Sequence, residues 1–243
     1  MFVSRERLGS GRVEIAFTDR HGGVSPAPFD SLDLSRSRPR RDDELAANLG
    51  RLADAFAVPG FATMRQVHGT EVRLVDAPGP VTGSCDALVT TAPDVALCVR
   101  VGDCVPVVLA DAAEGVVGVA HAGRTGVVAG VVGAAVDAMR RLGATDVEAY
   151  VGPHVCGGCY EVPASLRHEV ATVVPAAFAC TTWGTASLDL GAAVNAQLAA
   201  AGCLAHDRSR CTRESDDLFS YRRDGDRSGR FAGLVVIRGG ERV

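Results

Sequence analysis

The sequence predicts an α+β fold, with mixed β-sheets in a sandwich flanked by helices, in a single domain spanning residues 1–243. Three observations carry that expectation. Short β-branched runs crowd the middle of the chain, and helical apolar periodicity occurs only in isolated stretches between and after them. There is no regular β-α-β rhythm, and no internal repeat, heptad pattern or low-complexity linker divides the chain. Hydrophobic residues make up 47% of the sequence and charged residues 22%, ordinary for a globular protein with a sizeable core.

The elements follow in order. Arg12 to Thr18 alternates as a strand, and Arg20-His21-Gly22-Gly23-Val24-Ser25-Pro26 leads into a long polar loop that runs to Arg41 and contains Pro26, Pro28 and Pro39. Asp42 or Asp43 caps a helix with Leu45, Leu49, Leu52 and Phe56 on one face, and Val58-Pro59-Gly60 stops it. Strands are expected at Thr63 to Val67, Val72 to Val75, Ala87 to Thr90, Val95 to Val101, Val105 to Ala110 and Val116 to Ala120. Thr125 to Leu142 reads as one helix closed by Gly143, with Val128, Val131, Val132, Ala135 and Met139 as its core face. A strand at Val147 to Val151, helices around Ala164 to Val173 and Leu188 to Ala201, and a buried strand at Gly233 to Ile237 complete the chain.

Composition excludes several classes of function. The formal net charge of −4 argues against a nucleic-acid partner held by bulk positive charge. All 25 Lys+Arg residues are arginine. The absence of lysine removes Schiff-base chemistry, the phosphate-loop lysine and a kinase strand lysine. No apolar run approaches the roughly 18 residues of a membrane span. Residues 1–12 lack the apolar core of a signal peptide, so the eight cysteines are read as thiols in a reducing, cytoplasmic setting.

Metal-capable residues sit at the ends of three expected strands, in Gln66-Val67-His68-Gly69, Gly102-Asp103-Cys104-Val105-Pro106 and Ala120-His121-Ala122-Gly123. His68, Cys104 and His121 make a Cys-His₂ set that leaves a fourth coordination position open, the arrangement of catalytic zinc. Their separations match no zinc-finger or ribbon pattern, so two loop histidines and a buried cysteine remain an alternative at this point. So do a Cys-His hydrolase or amidase, with Cys104 as nucleophile and His121 or His68 as base, and a binding domain without catalysis.

Taken with their neighbours, these segments resemble the YfiH family, also named the polyphenol oxidase or multicopper-laccase-like family, which includes purine nucleoside phosphorylases of the FAMIN type. The motifs that carry the resemblance are Arg20-His21-Gly22-Gly23-Val24-Ser25, Ser31-Leu32-Asp33-Leu34, Gln66-Val67-His68-Gly69, Cys85-Asp86-Ala87, Asp103-Cys104-Val105-Pro106, His121-Ala122-Gly123, Gly152-Pro153, Tyr160-Glu161-Val162, Cys211-Thr212 and Phe219-Ser220-Tyr221-Arg222-Arg223. The resemblance implies the mixed-sheet sandwich, zinc held by His68, Cys104 and His121, phosphorolysis of adenosine, inosine and methylthioadenosine, and adenosine deamination. Purine nucleoside and phosphate are then the partners. Where the family usually reads His-Ala-Gly-Trp-Arg-Gly, this chain reads His121-Ala122-Gly123-Arg124-Thr125-Gly126, with the Trp absent and the Arg one place earlier.

The chemistry suits both reactions. Zinc lowers the pKa of a bound water from about 15.7 to about 7, which makes hydroxide available to attack purine C6. Phosphorolysis needs an oriented phosphate near C1′. Asp103, beside Cys104, is the candidate for proton transfer or for support of that ligand. The Gly-rich turn from His121 into the expected helix is a candidate anion site, with Arg124 adding a bidentate contact. Arg20, Gln66, Arg124, Tyr221 and Arg222 are the candidate substrate or phosphate residues. The older family name keeps copper as the alternative metal and phenol oxidation as the alternative reaction, with Met64 as axial ligand. A multicopper centre, however, needs more imidazoles than the six histidines supply. Cys156-Gly157-Gly158-Cys159 shows no second cysteine pair in the sequence to complete a structural zinc site, and no His-x-Glu of the nucleobase deaminases. It is therefore expected to be dispensable for the chemistry.

Overall fold

In the order of the chain, the secondary structure runs β1 (Phe2–Leu8), β2 (Val13–Thr18), α1 (Asp42–Phe56), β3 (Phe61–Arg65), β4 (Val72–Leu74), β5 (Gly79–Ser84), β6 (Ala87–Thr90), β7 (Ala96–Val101), β8 (Val105–Asp111) and β9 (Val116–Ala122). There follow α2 (Arg124–Ala129), α3 (Val131–Arg141), β10 (Glu148–Val151), α4 (Ala164–Val173), β11 (Phe178–Cys180), β12 (Ala186–Leu188), α5 (Leu190–Ala200), β13 (Leu204–Asp207), α6 (Tyr221–Asp224) and β14 (Phe231–Ile237). These come from a computed structural model that describes residues 1–36 and 42–239; the end of the long loop, Pro39 included, lies outside the described residues.

Two six-stranded sheets form the centre, in the orders β1-β2-β14-β7-β3-β5 and β13-β10-β8-β9-β6-β4. Both are mixed: β14 runs antiparallel to β2 and β7, whereas β3 runs parallel to β7 and β5. The period-two alternation of each strand sorts its side chains between cores. Leu97, Val99 and Val101 of β7 face the inter-sheet core with Phe17, Val108, Val117 and Val119. Ala96 and Cys98 face the opposite way, against Leu52 and Phe56 of α1. On the second sheet Val105, Val107 and Leu109 pack on the α2, α3 and α5 side with Val127, Val132, Met139 and Val194. The result is a layered α/β/β/α sandwich, as the sequence predicts. Among the described residues no helix is long and apolar enough to cross a membrane.

The structure departs from expectation in particular places. The helix expected over Thr125 to Leu142 is two helices, broken at Gly130, which adopts φ of 89°. Only glycine takes that left-handed turn without penalty, and the break leaves α2 only six residues long. The strands not anticipated are short or peripheral. β1 and β5 are sheet edges, β1 studded with Arg5, Glu6 and Arg7, and β5 interrupted by Gly79, Pro80 and Gly83. Edges need neither a continuous apolar face nor a full ladder, so they carry little periodic signal.

The long loop is tied to α1 by Asn48, which is completely buried. Its Oδ1 accepts from the Val24 amide at 2.8 Å, and its Nδ2 donates to Ser25 Oγ and to the Asp33 carbonyl, each at 2.9 Å. Replacing it removes three hydrogen bonds, two of them in buried surroundings, at about 1–3 kcal/mol for each buried group so stranded. Asn48→Ala is therefore expected to lower the urea midpoint by an amount equivalent to about 2–4 kcal/mol, with an unchanged m-value. A loss under about 0.5 kcal/mol would show that the loop does not depend on this anchor.

Candidate active site

His68, Cys104 and His121 converge because the ends of β3, β7/β8 and β9 meet at one end of the sandwich. Their ligand atoms all lie within 4.8 Å of one another. Cys104 Sγ is 3.7 Å from His68 Nε2, and the two imidazoles pack edge to face with centroids 4.7 Å apart. Around a tetrahedral zinc with bonds of about 2.0–2.3 Å, neighbouring N and S donors stand about 3.6 Å apart, so the trio fits such an ion with little adjustment. Gly123 keeps the space open: a Cβ there would lie 2.3 Å from His68 Cδ2 and 3.1 Å from Cys104 Sγ.

The trio is oriented by Asp86, which is fully buried. Its carboxylate accepts from the amides of Val67 (3.1 Å), His68 (2.9 Å) and Gly69 (2.8 Å), and from His121 Nδ1 at 2.8 Å. Three successive N–H groups can wrap one carboxylate because His68 takes φ of 60°, which curls the backbone into an anion-binding nest. With Nδ1 committed to Asp86, His121 is left with Nε2 as its metal-donor atom, the carboxylate–histidine–metal arrangement. Burial alone would raise the Asp86 pKa, but the His121 and backbone hydrogen bonds outweigh it and hold the carboxyl below its ordinary value.

Electrostatics favour ligation further. Burial opposes ionisation of Cys104, yet the charge of His121 and hydrogen bonds from both histidines bring its pKa down to about 6. Burial also disfavours charge on His121, but Cys104 and Asp86 prevail and carry it up to about 9. A thiolate beside an imidazolium is the state from which an incoming cation displaces the imidazolium proton.

Above the trio opens a cleft of about 1350 Å³. Among the described residues its lining includes six arginines, Arg36, Arg65, Arg100, Arg124, Arg222 and Arg230, against one acid, Asp103. The side chains of Arg36, Arg65 and Arg124 make no hydrogen bond or ion pair with any described residue. Arg100 is buried, donates to the carbonyls of Leu34 and Met64, and keeps an unsatisfied Nε.

The other residues singled out by the sequence fall into distinct positions. Asp103 lines the cleft at φ of 98°, and each of its carboxylate oxygens already accepts a hydrogen bond, from Thr212 Oγ1 at 2.5 Å and from the Arg222 amide at 2.6 Å. Gln66 also lines it, but its side-chain amide pairs with the backbone N–H and C=O of Arg100. Arg222 stacks on Tyr160 and donates to the Glu161 carbonyl, while Tyr221 lines the cleft beside it. Arg20 lies outside the lining: it binds the carbonyls of Pro28 and Asp30 and stacks over Phe219, clamping the loop. Arg124 does reach the cleft, but at the start of a helix too short to add an appreciable dipole, so any anion must be held by side chains. Met64 is wholly buried between the sheets and absent from the cleft, which removes it as an axial copper ligand.

Sequence reasoning missed Asp86, Arg36 and Arg65 as site residues. Asp86 stood in the quoted Cys85-Asp86-Ala87 motif, and Arg65 directly precedes Gln66-Val67-His68-Gly69; Arg36 carried no local signal.

The sequence profile of the multi-copper polyphenol oxidoreductase laccase family matches residues 14–238. The chain belongs to this family, the YfiH family. Within the YfiH family it is 50% identical over 235 residues to a Streptomyces coelicolor protein named purine nucleoside phosphorylase, covering 93% of this chain and 96% of that one. A Deinococcus radiodurans protein of the same name is 40% identical over 93% of this chain and 89% of its own. A Neisseria meningitidis crystal structure superimposes with a TM-score of 0.83 at 28% identity, covering 98% of this chain and 99% of that one. Bacillus licheniformis YfiH gives the same TM-score at 25% identity over 93% of each chain.

Asp86→Asn tests the orienting role. It keeps the shape but replaces an acceptor with an NH₂ group facing amide donors. Metal affinity, measured by chelator competition, is expected to fall about ten- to a hundred-fold. Unchanged affinity would mean that the histidines are fixed by packing alone.

Proposed function

We propose that this protein is a zinc-dependent purine nucleoside phosphorylase acting on adenosine, inosine and methylthioadenosine, with adenosine deaminase activity. The observation that carries the reading is the His68–Cys104–His121 trio at the base of a cleft with three arginines whose side chains have no hydrogen-bond or ion-pair partner among the described residues. The name shared by the relatives adds nucleoside and phosphate as substrates.

Phosphorolysis forms a bond from a phosphate oxygen to C1′ and breaks the bond from C1′ to N9, so the protein must hold an anion beside the sugar and stabilise a departing purine. Arg124, Arg65 and Arg36 bind the phosphate, with forked donors that match its oxygens. Tyr160 and Tyr221 provide aromatic surface for the purine. Asp103 acts as a positioning residue: it fixes the turn before Cys104 and the start of α6. A zinc ion held by the trio supplies Lewis acidity and lowers the pKa of water to about 7. Deamination exchanges the amino group at C6 for a water oxygen, releases ammonia and needs no phosphate. The proposed setting is the cytoplasm, a reading supported by eight unpaired cysteines.

Copper-dependent phenol oxidation is the second reading, favoured by the family's descriptive name and by a His₂Cys donor set that copper also accepts. Against it, only two of the six histidines enter a metal-capable cluster among the described residues. The Cys104–His68 pair also has the composition of a hydrolase nucleophile and base.

Product chromatography separates the readings. Purine release from inosine or adenosine only in the presence of phosphate is expected. Phenol oxidation without purine release would install copper, and hydrolysis by metal-free protein would install the thiol. Elemental analysis should find one equivalent of zinc fewer in Cys104→Ser than in the wild-type protein; equal zinc in the two would refute the ligand assignment. Arg124→Ala is expected to raise the KM for phosphate about ten- to a hundred-fold, through loss of a charge-assisted contact of about 1.5–3 kcal/mol, and to leave deamination nearly unchanged. An unaltered phosphate KM would place the anion on Arg65, Arg36 or Arg222 instead.

A further inference from the structure

The Cys156–Cys159 pair does not stand alone, as its sequence spacing led one to expect. Cys211 and Glu214 join it, and the four ligand atoms lie within 4.8 Å of one another. We infer that Cys156, Cys159, Cys211 and Glu214 form a second, structural zinc site that fastens one wall of the cleft. It is a different cluster from the His68 trio, on different chain segments, and does not depend on the nucleoside reading.

The backbone is built for the purpose. Cys156 to Cys159 is a tight turn in which the amides of Cys159 and Tyr160 both donate to the Cys156 carbonyl at 3.0 Å. Cys211 is brought alongside by a parallel bridge to His154, with His154 N–H on the Arg210 carbonyl (3.1 Å) and Thr212 N–H on the His154 carbonyl (3.0 Å). The Cys156 amide then points at Cys211 Sγ, 3.5 Å away, a donor aimed at a sulfur. One short turn further on, Glu214 N–H donates to the Cys211 carbonyl, and the exposed Glu214 brings a carboxylate oxygen within 4.8 Å of the three sulfurs.

The donor chemistry selects the ion. Sulfurs around a tetrahedral zinc stand about 3.8 Å apart, a spacing that a cluster whose ligand atoms all lie within 4.8 Å of one another can adopt. Thiolates exclude magnesium and calcium, and three of them with one carboxylate give a closed four-donor set, the structural rather than catalytic pattern. Binding releases the three thiol protons to solvent. Arg213, two residues after Cys211 and stacked over Trp183, carries a charge of the sign that offsets the surplus negative charge of the loaded site. The consequence reaches the cleft. Thr212, adjoining Cys211, donates to Asp103, and Val155, adjoining Cys156, donates to the Asp103 carbonyl at 3.0 Å; Asp103 in turn precedes Cys104.

The full-length Cys104→Ser chain, with the first trio disabled, is the protein to test. Loaded with cobalt(II), it is expected to show strong thiolate-to-cobalt charge-transfer absorption and to retain one zinc per chain when purified without added metal. Adding Cys211→Ser should abolish both. Absence of metal from the Cys104→Ser chain would overturn the proposal, as would a band that survives Cys211→Ser. Should the double variant not fold, alkylation of the wild-type protein decides. Cys156, Cys159 and Cys211 should resist a thiol reagent until a chelator is added; equal labelling before and after, or a Cys156–Cys159 disulfide in protein purified under reductant, would refute the site.

Discussion

Asp86 accepts hydrogen bonds from three consecutive amides at Val67, His68 and Gly69 and from the imidazole of His121, and so joins the segment after β3 to β9 through one carboxylate. A buried charge of this kind is tolerable only when its lone pairs are filled, and here four donors fill them. The left-handed backbone of His68 is the geometric cost of bringing its amide into line with its neighbours. Gly123 then has to be glycine because the His68 ring and Cys104 sulfur are drawn in against it. The donor trio is thus preorganised by a buried group that does not itself line the cleft.

The second constraint is electrostatic. A chain of net charge −4 gathers six arginines and a single acid, among its described residues, around one cleft, so its field there opposes its overall sign. Guanidiniums held close together without counter-ions repel one another, and an anion that enters relieves that repulsion while gaining bidentate contacts. Arginine suits the task better than lysine would, since its planar fork fixes the orientation of a phosphate as well as attracting it. The use of arginine for every basic position therefore has a particular meaning in this cleft, though none on the exposed surface.

Much of this was legible in the sequence, for identifiable reasons. β7, β8, β9 and β14 are fully buried, their β-branched runs leave no competing reading, and the sequence places them within one or two residues. The break at Gly130 was not legible, because Val128 and Val131 continue the helical stripe across it and only the backbone angle reveals the turn. For the site, motif resemblance selects His68, Cys104 and His121, and the structure gathers them. What the sequence could not convey was which polar side chains are already occupied. Gln66 is spent on the Arg100 backbone and Arg20 on loop carbonyls, whereas Arg65, far less conspicuous, remains available. The Cys156–Cys159 pair was undervalued for a related reason. Its partners lie more than fifty residues away, at Cys211 and Glu214, where no spacing rule reaches.

These long-range ties explain why the C-terminal segment belongs to the site although it carries none of the trio. Arg223 donates to the carbonyls of Thr212, Ser215 and Leu218, which folds residues 212–223 into a closed loop. Ser220 caps α6 by accepting from the Arg223 amide, and the Arg222 amide at the same helix start binds Asp103. The loop therefore presses on the turn before Cys104 through two separate hydrogen bonds, from Thr212 and from Arg222, and carries Tyr221 and Arg222 into the cleft as it does so. A displacement of this loop would move the Tyr221 and Arg222 wall of the cleft and the Cys104 turn together, because both contacts converge on one carboxylate. Asp103 is for that reason better understood as the hinge pin between the donor trio and the cleft wall than as a proton carrier, and its left-handed backbone, like that of His68, marks where the fold accepts strain to hold a ligand in place.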